Sequence, residues 1–206
     1  MSAVHQEQHG AISGEPAVET RSLGWWGMVF FIASEALLFA NLIAGYLYLR
    51  VRQNTWPPPG GPHLEKVFFE GGPNYLIVIN TFILLGSSVP MILAGRAMRR
   101  GELRRVPWFI LATIIMGATF ISLQAVEYVT NGFNISDGIV GSTFYALTGF
   151  HGAHVTVGLI FLLVNFFRAT RGHFTKEKHF AFEAGEMYWH FVDAVWVVLF
   201  TLVYLI

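Results

Sequence analysis

Five long apolar stretches constrain the fold of this chain more than any other feature of its sequence. They cover residues 23–49, 75–98, 106–129, 141–167 and 186–206. Each is long enough to cross about 30 Å of hydrocarbon, which takes roughly 20 residues of α-helix. A spanning segment must be helical, because its backbone amides and carbonyls find no other hydrogen-bond partners in lipid. The sequence therefore predicts an all-α integral membrane bundle of five transmembrane helices, residues 23–206, after a short, flexible, polar N-terminal tail over residues 1–22.

The composition agrees with a membrane protein. Hydrophobic residues make up 54% of the chain and charged residues only 13%, whereas a soluble domain carries roughly 25% charged residues. The formal net charge of zero argues against an acidic or basic partner such as nucleic acid. The chain contains no cysteine, which excludes disulfides, thiolate metal sites and thiol redox chemistry. Any metal site would therefore use His, Asp, Glu or Met.

The basic residues that flank the stretches are divided unequally between the two sides of the membrane. One side has Arg21, Arg96, Arg99, Arg100, Arg104, Arg105, Arg168, Arg171, Lys176 and Lys178. The opposite side has only Arg50, Arg52 and Lys66. Because cytoplasmic loops are enriched in Lys and Arg, we expect the N-terminus to be cytoplasmic and the C-terminus to lie on the outer side.

Ionisable side chains recur inside the apolar stretches. His151 and His154 lie one helical turn apart in the fourth stretch. Glu186, His190 and Asp193 follow at a spacing that places all three on one face of the fifth. Such groups are costly at membrane depth and usually face protein rather than lipid. The pattern predicts a polar stripe on the inner face of each helix.

The residue types in these stripes allow three uses. Hydrogen bonds between helices are the commonest. A haem or dinuclear metal site using His151, His154, Glu186 and His190 is also chemically possible, although the fourth stretch offers no carboxylate. A proton or solute path is the third use. Glu35, which lies alone in the middle of the first stretch, is either a neutral, packed side chain or part of a proton path.

Small and aromatic residues complete the pattern. Gly149 and Gly152 recur at helical spacing with Ala153 and Thr156 in the fourth stretch, and this spacing predicts close helix approach. Aromatic residues near the ends of the stretches predict anchors at the membrane interface. They are Trp25, Trp26, Trp108 and Tyr204.

Six segments together resemble one known family. They are residues 31–40 (FIASEALLFA), 56–60 (WPPPG), 79–88 (INTFILLGSS), 123–128 (LQAVEY), 143–155 (TFYALTGFHGAHV) and 188–196 (YWHFVDAVW). In this order they resemble subunit III of the haem-copper respiratory oxidases, in its five-helix bacterial form. The resemblance covers nearly the whole chain after residue 23.

The resemblance implies a non-catalytic accessory subunit of a proton-pumping terminal oxidase, part of an oxidoreductase complex. Such a subunit packs on subunit I, in a complex that also contains subunit II, binds phospholipid, and sustains proton uptake and stability during turnover. Haems and copper belong to subunits I and II, so no redox centre or metal is expected in this chain. The implied location is the bacterial plasma membrane, with membership of a respiratory supercomplex possible.

The resemblance also implies roles for particular residues. Glu35 matches a buried family glutamate that reacts with carbodiimide, and lies at the lipid or subunit interface. The polar positions that hold helices together correspond to Glu127, His151, His154, His190 and Asp193. Gly149 and Gly152 would allow close helix packing. Basic residues that could pair with lipid phosphates are Arg96, Arg99 and Arg104.

Two alternatives stay open at the level of sequence. Subunits III of cytochrome c oxidases and of quinol oxidases look alike, although the WPPPG loop and the segment after it look more like the cytochrome c branch. A stand-alone membrane haem or metal enzyme would use His151, His154, Glu186 and His190. A small transporter is disfavoured, because the sequence has no paired broken helices and no inverted repeat.

Overall fold

The computed structural model describes residues 23–60 and 75–205. The tail predicted over residues 1–22 lies outside the described residues, as do Arg21, Lys66 and Ile206.

The described residues form five helices. They are α1 (Leu23–Val51), α2 (Tyr75–Arg100), α3 (Val106–Thr130), α4 (Gly138–Thr170) and α5 (Phe180–Phe200). A wider, π-helical turn, Thr201–Leu205, continues α5 to the end of the described chain. All five helices are long and apolar enough to cross a membrane. The predicted all-α bundle of five transmembrane helices is thus confirmed.

The helix ends differ from the predicted limits mainly at α4 and α5. These helices begin at Gly138 and Phe180, before residues 141 and 186, because a helix can extend past the apolar segment that hydropathy detects. Pro107 lies in the first turn of α3, where its missing N–H would have no helical partner in any case. Pro90 lies inside α2, and the helix continues on both sides of it.

Four helices form a ring and α1 lies outside it. Each of α2, α3, α4 and α5 contacts the next, and α5 closes the ring on α2, whereas α1 packs mainly on α4 and α5. The largest fully buried side chains, Trp189 and Trp196, both belong to α5. The core of the bundle is therefore built around one face of α5.

Helix α1 buries few of its side chains within this chain. Only Phe39 and Tyr46 are buried along its length, while Phe30 and Leu37 are 70% and 67% exposed. Large apolar side chains are stable on this outer face if lipid or another subunit covers it. The outer face of α1 is therefore a lipid-facing or subunit-facing surface.

Close helix approach occurs at glycines other than the two predicted. The Trp189 indole lies between α3 and α4, where a Cβ on Gly117 would be 2.5 Å from its Cη2 atom and a Cβ on Gly158 would be 3.2 Å from its Cε3 atom. At Gly149 and Gly152 a Cβ would meet its nearest neighbour only at 3.8 and 4.0 Å, which is ordinary van der Waals contact. Among the described residues, no tightly packed neighbour meets Gly149 or Gly152, so close helix packing at these two glycines stays a prediction.

We expect Gly117→Ala to destabilise the bundle. The added methyl overlaps the buried Trp189 ring, and overpacking of this kind costs about 1–3 kcal/mol. The matched control is Gly45→Ala in α1, where a Cβ meets no described atom within 4 Å. Thermal unfolding in detergent should show a lower midpoint for the first variant and an unchanged or higher one for the second. Equal midpoints for Gly117→Ala and the parent would contradict the packing described here.

Candidate functional site

A carboxylate–imidazole pair joins α1 to α4. Glu35 Oε2 lies 2.7 Å from His154 Nε2, and both side chains are mostly buried, with 20% and 13% exposed. His154 Nδ1 lies 2.8 Å from the Phe150 carbonyl, which can only accept, so Nδ1 carries a proton. Nε2 then either accepts the proton of a neutral Glu35 or donates to its carboxylate. The pair has zero net charge in both states, which suits a membrane interior.

A second polar contact joins α5 to α2 through one serine. The Ser88 hydroxyl donates to Asp193 Oδ2, and His190 Nδ1 lies 3.1 Å from Ser88 Oγ. With the hydroxyl proton directed to Asp193, Ser88 Oγ can accept a hydrogen bond from the Nδ1–H tautomer of His190. His190 and Asp193 of α5 therefore both contact a single side chain of α2.

Two indoles of α5 add further hydrogen bonds to α2. Trp189 Nε1 donates to Ser87 Oγ at 2.9 Å, and Trp196 Nε1 donates to Thr81 Oγ1 at 3.2 Å. Together with Ser88, these contacts fix α5 against α2 at successive turns. The two buried indole N–H groups are therefore satisfied across the interface rather than within one helix.

A third cluster joins the C-terminal turn to α3. Tyr204 donates its hydroxyl to Glu127 Oε1 at 2.8 Å, and Gln124 Nε2 donates to Glu127 Oε2 at 2.9 Å. Both Glu127 and Tyr204 are buried. The sequence predicts Tyr204 to be an interface anchor. That prediction is wrong, because the turn after α5 directs the Tyr204 ring into the bundle.

A further hydrogen bond joins α3 to α4. The Tyr128 hydroxyl donates to Thr148 Oγ1 at 2.8 Å.

His151 differs from the other predicted network residues. Its ring is fully buried, stacks on Trp196 with centroids 4.9 Å apart and meets the edge of Phe120 at 6.0 Å. Neither ring nitrogen has a hydrogen-bond partner among the described residues, so the predicted role of His151 in a hydrogen-bond network is wrong. Positions three apart on a helix differ by about 60° in direction, and this turns His151 into the core while His154 faces α1.

The four residues proposed as haem or metal ligands lie in separate environments. His154 contacts Glu35, His190 contacts Ser88, and His151 packs among aromatic rings. Glu186 Oε2 lies 3.8 Å from Arg99 Nη1. Across residues 23–60 and 75–205, no group of three or more His, Asp or Glu side chains is arranged to hold a metal. These residues do not fit a shared metal or haem site.

The predicted basic residues are placed differently from one another. Arg99 pairs with Glu186. The Glu186 carboxylate also packs against Gly95 of α2, where an added Cβ would overlap Oε1. Arg96 and Arg104 are exposed, and neither forms an ion pair with a described residue. Arg104 lines a groove between the ends of α3 and α4. Arg99 is therefore partly engaged within the chain, while the other two are available to neighbours.

Sequence analysis missed the partners of the ionisable residues. Ser87, Ser88, Thr81 and Trp189 carry much of the contact between α2 and α5. The hydroxyl side chains in this mostly apolar stretch were the signal that could have indicated these partners, because hydroxyls in spanning helices often form hydrogen bonds to neighbouring helices.

The fold and these contacts define a class of protein: a multi-pass helical membrane protein whose buried polar side chains join its helices. The family model described as Cytochrome c oxidase subunit III matches residues 5–206. A cytochrome c oxidase subunit 3 from Thermostichus vulcanus is 35% identical over 100% of this chain and 98% of its own length. Those of Anopheles gambiae and Bos taurus are each 39% identical over 87% of this chain and 68% of their own length.

The chain belongs to the cytochrome c oxidase subunit III family. This confirms the resemblance seen in its sequence. It is an accessory subunit of a haem-copper oxidase, and therefore a component of a multi-subunit complex in a membrane.

We expect Tyr204→Phe to weaken the attachment of the C-terminal turn. The variant keeps the ring but removes the donor to Glu127 Oε1, and leaving a buried acceptor unpaired costs about 1–3 kcal/mol. The control is Tyr48→Phe on α1, where the parent side chain is 59% exposed. Thermal unfolding in detergent should separate the two, with a lower midpoint only for Tyr204→Phe. If both variants unfold like the parent, the Glu127 contact contributes nothing.

Proposed function

We propose that this chain is subunit III of a proton-pumping cytochrome c oxidase in a bacterial plasma membrane. It packs on catalytic subunit I in a complex with subunit II, which hold the haems and copper, and it sustains proton uptake and stability during turnover. The observation that carries this proposal is the family match over nearly the whole chain. Its relatives named cytochrome c oxidase subunit 3 favour cytochrome c over quinol as the electron donor.

The charge distribution supports a cytoplasmic N-terminus. The loops after α2 and after α4 are basic, and both lie on the side from which α1 starts. On the opposite side, Arg50 has an internal structural role: its Nη1 donates to the Tyr46 hydroxyl at 3.0 Å and to the Leu202 carbonyl at 3.2 Å. Arg50 therefore counts less against the proposed orientation than its charge suggests.

The outer face of α1 supports contact with a partner subunit or with bound lipid. This helix keeps most of its apolar surface outside the bundle, and the Glu35–His154 pair lies at its boundary with α4. Glu35 remains 20% exposed there, so it can meet a group from outside the chain. We place the proposed interfacial role of Glu35 at this boundary.

Removing the chain from the purified oxidase tests the proposed function. The oxidase without it should keep its haem spectrum and its initial rate of oxygen reduction, because the redox centres belong to other subunits. It should then lose activity sooner during continuous turnover, and adding the chain back should restore the longer lifetime. Equal turnover lifetimes with and without the chain would contradict the proposal.

Substitutions of Glu35 separate hydrogen bonding from charge. Glu35→Gln keeps a group that can bond to His154 Nε2, so we expect assembly and retention of the chain in the oxidase to be unchanged. Glu35→Leu leaves that nitrogen unpaired, which costs about 1–3 kcal/mol, and should lower retention during detergent purification.

The ratio of this chain to haem in the purified complex measures retention. Glu102→Gln, which removes a more exposed carboxylate paired with Arg105, is the control and should retain the chain fully. Loss of the chain in Glu35→Gln equal to that in Glu35→Leu would show that charge, rather than hydrogen bonding, holds this position.

A further inference from the structure

Three buried side chains in the ring of α2 to α5 carry polar atoms that have no partner among the residues that the structure describes. These atoms are both nitrogens of the His151 ring, both polar atoms of the Asn80 amide, and Oε1 of Gln124. Each of the three residues is at most 4% exposed. Groups this deeply buried need partners inside the ring, because an unpaired buried polar group costs free energy.

Gln124 of α3 and His151 of α4 lie at the same level of the bundle. The Tyr128 hydroxyl of α3 donates to Thr148 Oγ1 of α4. Gln124 comes about one helical turn before Tyr128, and His151 comes about one turn after Thr148. Because consecutive spanning helices run in opposite directions, these two steps lead to the same depth.

Trp196 of α5 connects this level to α2. Its indole stacks on His151 with ring centroids 4.9 Å apart, and its Nε1 donates to Thr81 Oγ1 at 3.2 Å. Asn80 directly precedes Thr81 and is 1% exposed, so its side chain also lies inside the ring. The Phe120 ring contacts both His151 and Trp196. The unpaired polar atoms therefore converge on one part of the interior, between aromatic rings.

The hydrogen-bonding groups at this level suit a small ligand that both donates and accepts. Within the described part of the chain, no hydrogen bond joins any two of the three side chains. A neutral imidazole offers one donor and one acceptor, and a side-chain amide offers two donors and one acceptor. Gln124 Nε2 already donates to Glu127 Oε2 at 2.9 Å, which leaves Oε1 as an acceptor.

We propose that the centre of the ring is a binding site for buried water, which bridges His151, Asn80 and Gln124. A buried water typically makes about three hydrogen bonds to polar groups that are otherwise unpaired, and these side chains offer it both donors and acceptors. A small apolar ligand would leave every one of these polar atoms unpaired. Water thus joins α2, α3 and α4 at a level where direct side-chain hydrogen bonds do not. The proposal does not depend on the role proposed above in turnover, so either can fail without the other.

Cryo-electron microscopy of the intact oxidase tests the site directly. At a resolution that shows ordered water, we expect solvent density about 2.7–3.2 Å from polar atoms of at least two of the three side chains. A direct hydrogen bond between His151 and Asn80 or Gln124 would overturn the proposal. So would a ring centre without solvent density, or density for a larger molecule there. The structure of the parent complex decides the matter even if a variant fails to assemble.

Two substitutions of similar volume give opposite results for a hydrated and a dry site. His151→Phe keeps a ring that can stack on Trp196, and Asn80→Leu keeps most of the side-chain volume. If water bridges the two residues, each variant leaves polar groups without a partner, and the thermal midpoint of the chain in the purified oxidase should fall by a few degrees. If the site is dry, each variant removes an unpaired polar group, and a higher midpoint would contradict the proposal.

The double variant tests whether His151 and Asn80 share the same water. Its loss of stability should be smaller than the sum of the two single losses, because both changes act on one bridge. The control pair combines His151→Phe with Asn165→Leu, which removes another buried amide with an unpaired Oδ1. Asn165 lies about 20 Å further along α4, so these two effects should add. Additive effects in both pairs, or equal coupling in both, would count against a shared water.

Discussion

The structure depends on one constraint: polar side chains buried in a membrane bundle must find partners on neighbouring helices. Lipid supplies no hydrogen bonds and little drive for helices to associate. This chain meets much of the constraint with three clusters, centred on Glu35, Ser88 and Glu127, while Asn80 and His151 have no hydrogen-bond partner among the described residues. Each joins a different pair of elements, namely α1 to α4, α2 to α5, and α3 to the turn after α5. The clusters therefore link three pairs of elements that are distant in the sequence.

Helix α5 and the turn that continues it take part in most of this arrangement. Two indoles and two ionisable side chains of α5 contact α2, and the Trp189 ring fills the space that Gly117 and Gly158 leave between α3 and α4. Helix α1, in contrast, packs on α4 and α5, bonds to α4 through the Glu35–His154 pair, and leaves a broad apolar face outside the bundle. An accessory subunit needs both properties: a rigid interior, and an outer surface that lipid or a partner can cover.

Much of the fold was predictable, and part of the site was not. Length and hydropathy determine the five spanning helices, since in lipid no other structure satisfies the backbone. The ionisable residues were identifiable because each is costly at membrane depth. Their partners depend on helix rotation and register, which only packing decides. Thus His151 and His154 lie one turn apart but have different environments, and Tyr204 is buried although its place in the sequence is typical of an interface anchor.

We infer that Glu35, His154, His190, Asp193 and Glu127 join helices and that the histidines and carboxylates of this chain do not bind a redox centre. The haem, copper and iron content of the purified complex, and of this chain after its partners are stripped away in mild detergent, tests this inference. Haem and metal should copurify with the chain only in the complex, and should leave with the partner subunits. Haem or metal that stays with the stripped chain in a fixed ratio, and is lost on replacing His154 or His190, would contradict it.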